Sequence, residues 1–148
     1  MTGIIRANGY RWDVPLKAYK TDGDGFRDIS RQTLIGDGED QHGANSITRY
    51  FEIQPGGHSS LERHQHPHSV IILRGSGRVL LDRRLEAVGL HDCLFIGPQC
   101  LHQFHADGDV PLGFLCIVDR ERDRPQPPSA AELDALRADP VLRDWVRI

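Results

Sequence analysis

The stretch Leu61–Gly77, LERHQHPHSVIILRGSG, sets three of the chain's eight histidines at positions 64, 66 and 68, follows them with an apolar run, and closes on a glycine-rich turn. In an extended chain alternate residues share a face. Glu62, His64, His66 and His68 therefore have one parity if the segment is extended throughout. Pro67 interrupts that extension and favours a turn, so parity alone leaves the choice among the three histidines open. Residues 69–74 read as a buried strand. The Arg74–Gly77 segment has no helix after it, so it is a hairpin turn and not a phosphate loop.

Outward from this stretch, fifteen glycines and nine prolines divide the chain into short runs rich in Val, Ile, Leu and Phe. Strands are expected near 26–35, 46–54, 58–64, 69–74, 77–82, 84–88, 93–97, 102–106 and 112–118, with Pro55-Gly56-Gly57 as a turn. Many short strands at this spacing predict an all-β sandwich or barrel. RERDRPQPPS at 120–129 is charged and proline-rich and reads as an extended strap. Ser129 and Glu132 have capping-box spacing ahead of a helix. Asp139 and Pro140 suit the N-cap and N1 positions of a second one. Residues 1–25 form an N-terminal extension whose Tyr10, Trp12 and Tyr19 are expected to pack on the barrel or on a neighbouring copy.

Length and charge exclude several classes. The 148 residues suit one domain, and the net charge of −3 gives no general attraction for nucleic acid or an acidic membrane. No apolar stretch approaches the ~20 residues that span a bilayer. The N-terminus lacks a signal-peptide core, so the expected location is cytoplasmic. Three cysteines without CxxC spacing argue against a disulfide framework or a cysteine zinc site. Cys93, Cys100 and Cys116 read as small buried hydrophobes; a reactive thiol would best be Cys100, two residues before His102.

The histidine stretch resembles the first signature of the cupin superfamily, G-x5-H-x-H-x3/4-E-x6-G. Gly56, position 62, His64, His68 and Gly75 reproduce its spacing. LHDCLFIGPQCLHQFHA is similar to the second signature, through Pro98 and His102. In the first signature two positions depart from the pattern: Glu62 stands where the family usually has its first histidine, and His68 where it usually has glutamate. In the second, the glycines become Val88 or Gly89 and Cys100, and the final asparagine becomes Ala106. The exchange in the first signature keeps three histidines and one carboxylate. The resemblance implies a jelly-roll barrel, a double-stranded β-helix, here with short C-terminal helices over 129–148. It also implies one divalent transition metal held by Glu62, His64, His68 and His102. Imidazole suits Zn, Cu, Fe and Ni, and a carboxylate adds hard-oxygen character, so Fe, Mn, Ni, Cu and Zn all stay open. Glu62 is expected as a ligand and as a catalytic base; if it instead only orients an imidazole, His66 enters the ligand set.

Cupins with this donor set include dioxygenases. The resemblance therefore implies a mononuclear oxidoreductase acting on a small, mostly apolar molecule. The alternatives are a non-catalytic ligand- or metal-binding module, or a metal-dependent isomerase. Val70, Ile72, Phe104, and Tyr50 or Phe95, are candidates to line the cavity. Arg49 and Arg63 are expected to point away from it, leaving no anion clamp. His58 is expected inward, His105 outward, and His42 and His91 in loops. A homodimer is expected, with no nucleic acid or membrane partner.

Overall fold

The computed structural model describes residues 3–21, 23–38, 41 and 44–148. In chain order the strands are β1 (Ala7–Asn8), β2 (Arg11–Trp12), β3 (Leu16–Ala18), β4 (Arg27–Ile35), β5 (Ser46–His58), β6 (His68–Arg74), β7 (Gly77–Leu81), β8 (Arg84–Val88), β9 (Cys93–Ile96), β10 (His102–His105) and β11 (Leu112–Asp119), followed by the helix α1 (Ala130–Ala138). Apart from the β1–β2 ribbon, they form one curled antiparallel sheet in the order β8-β7-β10-β5-β11-β6-β9, with β4 also on β5 and β3 on β4. This is the jelly roll that the sequence predicts. None of the described helices is long and apolar enough to cross a membrane.

The strand that makes the roll is β5. Its first two-thirds lies between β4 and β11, while His58 at its end pairs with His105 of β10. It therefore runs unbroken through Pro55-Gly56-Gly57, where a turn is expected from the sequence. Gly56, at φ +80°, lets the strand bend there without leaving the ladder. The expected strand over 58–64 is correspondingly only an extended segment, held to β10 by Ser59 N–H on the Phe104 carbonyl (2.9 Å) and by reciprocal Glu62–His102 backbone bonds of 3.1 and 2.9 Å.

Between the curled faces lies an apolar core containing Phe51, Ile53, Val70, Ile72, Val79, Phe104, Leu112 and Phe114. Phe114 stacks on both Phe104 (4.6 Å between centroids) and Phe51 (5.5 Å). Burying each such side chain stabilises the fold by about 1.5–3 kcal/mol. Alternation on β5 sends Arg49, Phe51 and Ile53 inward and Tyr50 and Glu52 to the outer face. There the N-terminal extension docks on its own barrel. Trp12 packs on Tyr50 at 4.7 Å, and the Gln32 amide donates to the Trp12 and Val14 carbonyls at 3.0 Å. Glu52, 3% exposed, accepts from Tyr50 Oη at 3.0 Å and from Arg74 at 2.9 Å.

The outer face of β7 and β10 is covered by the C-terminal segment. Leu61, Leu80 and Leu101 pack with Leu136, Leu142 and Val146. Helix α1 begins at the expected capping box, Ser129 with Glu132. The second expected helix is absent. Asp139 Oδ1 does accept from the Val141 and Leu142 amides at 2.9 and 3.3 Å, but the chain beyond it forms turns. One cap does not by itself recover the unfavourable nucleation step, and Leu142 and Val146 are instead buried against Leu61, Leu80 and Leu101. His91 lies in the β8–β9 turn at φ +73°, and His42 lies outside the described residues.

Tight packing under β11 yields a direct test. A Cβ placed on Gly113 would lie 2.0 Å from Tyr50 Oη and 2.8 Å from its Cζ. Gly113→Ala is expected to cost about 1–3 kcal/mol of stability in denaturant unfolding. Gly3→Ala, where an added Cβ meets nothing within 4 Å, should leave the midpoint unchanged.

Candidate metal centre

Three histidines converge from three places in the roll. His64 follows β5, His68 opens β6 and His102 opens β10, so β-strands on opposite sides of the roll bring two of them together. One nitrogen from each lies within 4.8 Å of the others, and all three side chains are buried. The hydrogen bonds are one-sided. His64 Nδ1 lies 2.7 Å from the His66 carbonyl, and His102 Nδ1 lies 2.9 Å from the Cys100 carbonyl. A carbonyl can only accept, so both Nδ1 atoms carry the proton and both Nε2 lone pairs are bare. His64 Nε2 is buried with no hydrogen-bond partner among the described residues. Such an atom normally costs about 1–3 kcal/mol. A backbone-anchored Nδ1–H opposite a free Nε2 is the arrangement that metal-binding histidines adopt.

Burial, reinforced by the neighbouring imidazoles, pushes His64 down to about 4 and His68 further down. Burial likewise lowers His102. All three rings are therefore neutral at physiological pH, the form that binds metal. The donor set fits a divalent transition ion.

Glu62 lines the same cavity, and its Oε2 is paired with the Lys20 ammonium. His66 stacks on His64 at 3.8 Å between centroids, but its Nδ1 is bonded to Asp123 Oδ1 at 2.7 Å. Asp123 also accepts the Gln65 and His66 amides at 2.8 and 3.1 Å. The proline-rich strap thus fixes the histidine loop from outside.

The cavity in front of the cluster holds about 220 Å³. Its aromatic wall is Phe51, Phe104 and Phe114. Of the other expected lining residues, Tyr50 faces the N-terminal extension, Val70 and Ile72 are sealed in the core, and Phe95 is 72% exposed. Arg49 is a correction: it lines the cavity and donates to Cys116 Sγ at 3.4 Å. It stands directly opposite Cys116 in the β5–β11 ladder, and the inward parity of Phe51 carries it inside. Arg63, by contrast, turns to Glu132 outside the cavity.

The thiol in the cavity is Cys116, not Cys100. Cys116 Sγ lies 3.6 Å from His68 Nδ1, and burial raises its pKa while Arg49 opposes that rise. Cys100 is raised to about 11 by burial and Asp82. Cys116 was legible from its inward parity with Phe114, whereas Cys100 was favoured only by its nearness to His102 in sequence.

His58 does not line the cavity; its ring sits 6.0 Å from that of His105. His105 has the expected parity, facing away from the barrel interior, yet it is 5% exposed because Trp145 packs edge-on against it at 5.4 Å.

Residues 49–118 match the family model described as a cupin domain. A 1-methylthio-D-xylulose 5-phosphate methylsulfurylase from Rhodospirillum rubrum is 48% identical over 135 residues, covering 90% of this chain and 84% of that protein. A cupin 2 conserved barrel domain protein from Rhodopseudomonas palustris is 40% identical with a TM-score of 0.89, covering 99% of this chain and all of that one. A cupin-2 domain protein from Rhodospirillum rubrum is 44% identical with a TM-score of 0.83, covering 97% of this chain and 95% of its own. The chain belongs to the cupin superfamily.

His105 carries a pH signature separate from the cluster. Burial, with His58 and Arg147 nearby, lowers it to about 4, against about 6.5 in the unfolded chain. The unfolded state binds the extra proton between these values, so stability is full above pH 6.5 and falls as pH drops toward 4. Removing His105 with His105→Leu should flatten the pH 6.5-to-4 slope of unfolding free energy by on the order of 3 kcal/mol. Urea titrations of metal-free protein at each pH measure it.

Proposed function

We propose that this chain is a metal-dependent enzyme that cleaves the carbon–sulfur bond of a phosphorylated 1-methylthio-ketose, the substrate class carried in the name of its Rhodospirillum rubrum relative. The observation that carries this reading is the Cys116 thiol, 3.6 Å from the histidine cluster and inside the same cavity. Sulfur-transfer chemistry needs a soft nucleophile beside a group that stabilises developing negative charge. In this reading His64, His68 and His102 hold the ion through Nε2. Glu62, whose Oε2 is engaged by Lys20, would supply the carboxylate of the donor set. A divalent ion held by these residues would supply Lewis-acid polarisation of a ketone.

The chain's own groups then have distinct tasks. The Arg49 N–H at 3.4 Å and the His68 Nδ1–H both face Cys116 Sγ and favour the thiolate. The thiolate attacks the methylthio sulfur. A disulfide bond forms between Cys116 and the methylthio group, the C1–S bond breaks, and its electron pair passes into the adjacent ketone as an enolate. A proton delivered to C1, assigned to the Lys20 ammonium on the cavity wall, gives the 1-deoxy-ketose phosphate. An external thiol must then release the methylthio group from Cys116 by disulfide exchange. Phe51, Phe104 and Phe114 shield this wall from water. Oxidative cleavage of an apolar molecule, the expectation raised by the sequence, suits less well a cavity whose wall also carries Lys20, Arg31, Arg49 and Arg122.

Metal-loaded protein given 1-methylthio-xylulose 5-phosphate without added thiol should release about one equivalent of deoxy-ketose phosphate and retain one methylthio group on Cys116, detectable by peptide mass spectrometry. Added thiol should convert this burst into turnover. Cys116→Ser should abolish both. Full turnover by Cys116→Ser, or isomerisation of the ketose without loss of sulfur, would contradict the mechanism.

A further inference from the structure

Among the described residues four cationic side chains line the cavity, Lys20, Arg31, Arg49 and Arg122, against one carboxylate, Glu62. That carboxylate is paired with Lys20. Three guanidiniums are left, and among the described residues none of them makes an ion pair. Asp37 is in Coulombic range of Arg31 and Arg122, but it is bonded to Lys17 at 2.9 Å. Arg31 Nε and Arg49 Nε are both buried without a hydrogen-bond partner among the described residues. Buried guanidinium N–H groups without acceptors are unfavourable, and like charges held together add to that cost.

The sheet explains why they meet. Arg31 stands opposite Phe51 across β4 and β5, and Arg49 is two residues before Phe51, so both flank that ring on the cavity side. The Arg49 guanidinium lies 5.1 Å from the Phe51 centroid. On the other side of β5, β11 ends at Asp119, and Arg122 folds back just beyond it, donating to the Asp119 and Arg120 carbonyls at 3.3 and 3.1 Å. Burial, and then Arg49, lowers both Arg31 and Arg122, which marks the three charges as mutual neighbours. One cavity thus joins a neutral histidine cluster to a guanidinium cluster that makes no ion pair among the described residues, with Cys116 touching both through Arg49 and His68.

We infer that Arg31, Arg49 and Arg122 form a phosphate subsite that anchors the far end of a ketose 5-phosphate while its carbonyl end lies at the histidine cluster. The inference rests on the proposed reading for the identity of the ketose; the anion preference follows from the arginines themselves. Guanidinium forks match phosphate oxygens in geometry and charge, and a dianion supplies the acceptors that the buried Nε atoms lack.

The test compares xylulose 5-phosphate with xylulose, and inorganic phosphate as a competitor, by calorimetry on the intact metal-loaded chain. Wild type should bind the phosphorylated ketose much the more tightly, and inorganic phosphate should displace it. Arg31→Gln and Arg122→Gln should each weaken xylulose 5-phosphate at least about tenfold while leaving xylulose within about twofold. Arg31→Lys, which keeps the charge and loses the fork, should fall between wild type and Arg31→Gln. Thermal midpoints close to wild type establish that the variants are folded; if Arg31→Gln is not, Arg31→Lys and Arg122→Gln carry the comparison. An unchanged ratio of the two ketose affinities in these variants would overturn the subsite. Loss of phosphate discrimination in the variants, in a wild type that never cleaves the methylthio substrate, would keep the subsite and sink the proposed function. Cleavage with an unchanged KM in Arg122→Gln and Arg31→Lys would do the reverse.

Discussion

Two backbone carbonyls, those of His66 and Cys100, govern the site. By accepting the Nδ1 protons of His64 and His102 at 2.7 and 2.9 Å, they fix the tautomer of each ring and aim the bare Nε2 lone pairs inward. Neither carbonyl is free to be elsewhere. His66 is held by two contacts to Asp123 on the strap, with a third from the neighbouring Gln65 amide, and the Cys100 segment by the Leu101 amide on Asp82 at 2.9 Å. The stability of the loops is thereby converted into orientation of the imidazoles. Buried neutral rings with unsatisfied acceptors are unfavourable in isolation. A cation shared between them would relieve that cost.

The cavity has a chemical gradient from one end to the other. Neutral nitrogen donors occupy one end, guanidiniums the other, and the thiol of Cys116 lies between, in contact with both. This arrangement follows from β5. Its inner residues run Arg49, Phe51, Ile53, and its bend at Gly56 carries the chain across to β10, where His102 waits. One strand therefore sets the arginine end and closes the roll that creates the histidine end.

The jelly roll, the capping box at Ser129 and the histidine positions were legible because each is a local pattern: alternation, capping spacing, signature spacing. The role of β5 was not, since Pro55-Gly56-Gly57 has the composition of a turn and only the pairing partners on both sides show that the strand continues through it. The inward position of Arg49 is hard to read from sequence for a related reason. Its parity with Phe51 was present in the sequence, but an arginine on an inward position looks like an error of register until Arg31 from β4 and Arg122 from the segment after β11 arrive to share the cavity. The burial of His105 and the missing second helix depend on how the C-terminal segment packs over β10, a contact between parts of the chain forty residues apart in sequence, for which no local signal exists.

The account stands most directly on the convergence of His64, His68 and His102 upon one ion. X-ray absorption spectroscopy of protein loaded with a single equivalent of Zn or Mn measures that convergence. The account predicts a first shell containing three imidazole nitrogens at about 2.0–2.2 Å, with the characteristic outer-shell ring scattering, and loss of one imidazole in His64→Ala. A first shell of oxygen alone, or one unchanged by removal of His64, His68 or His102, would contradict it.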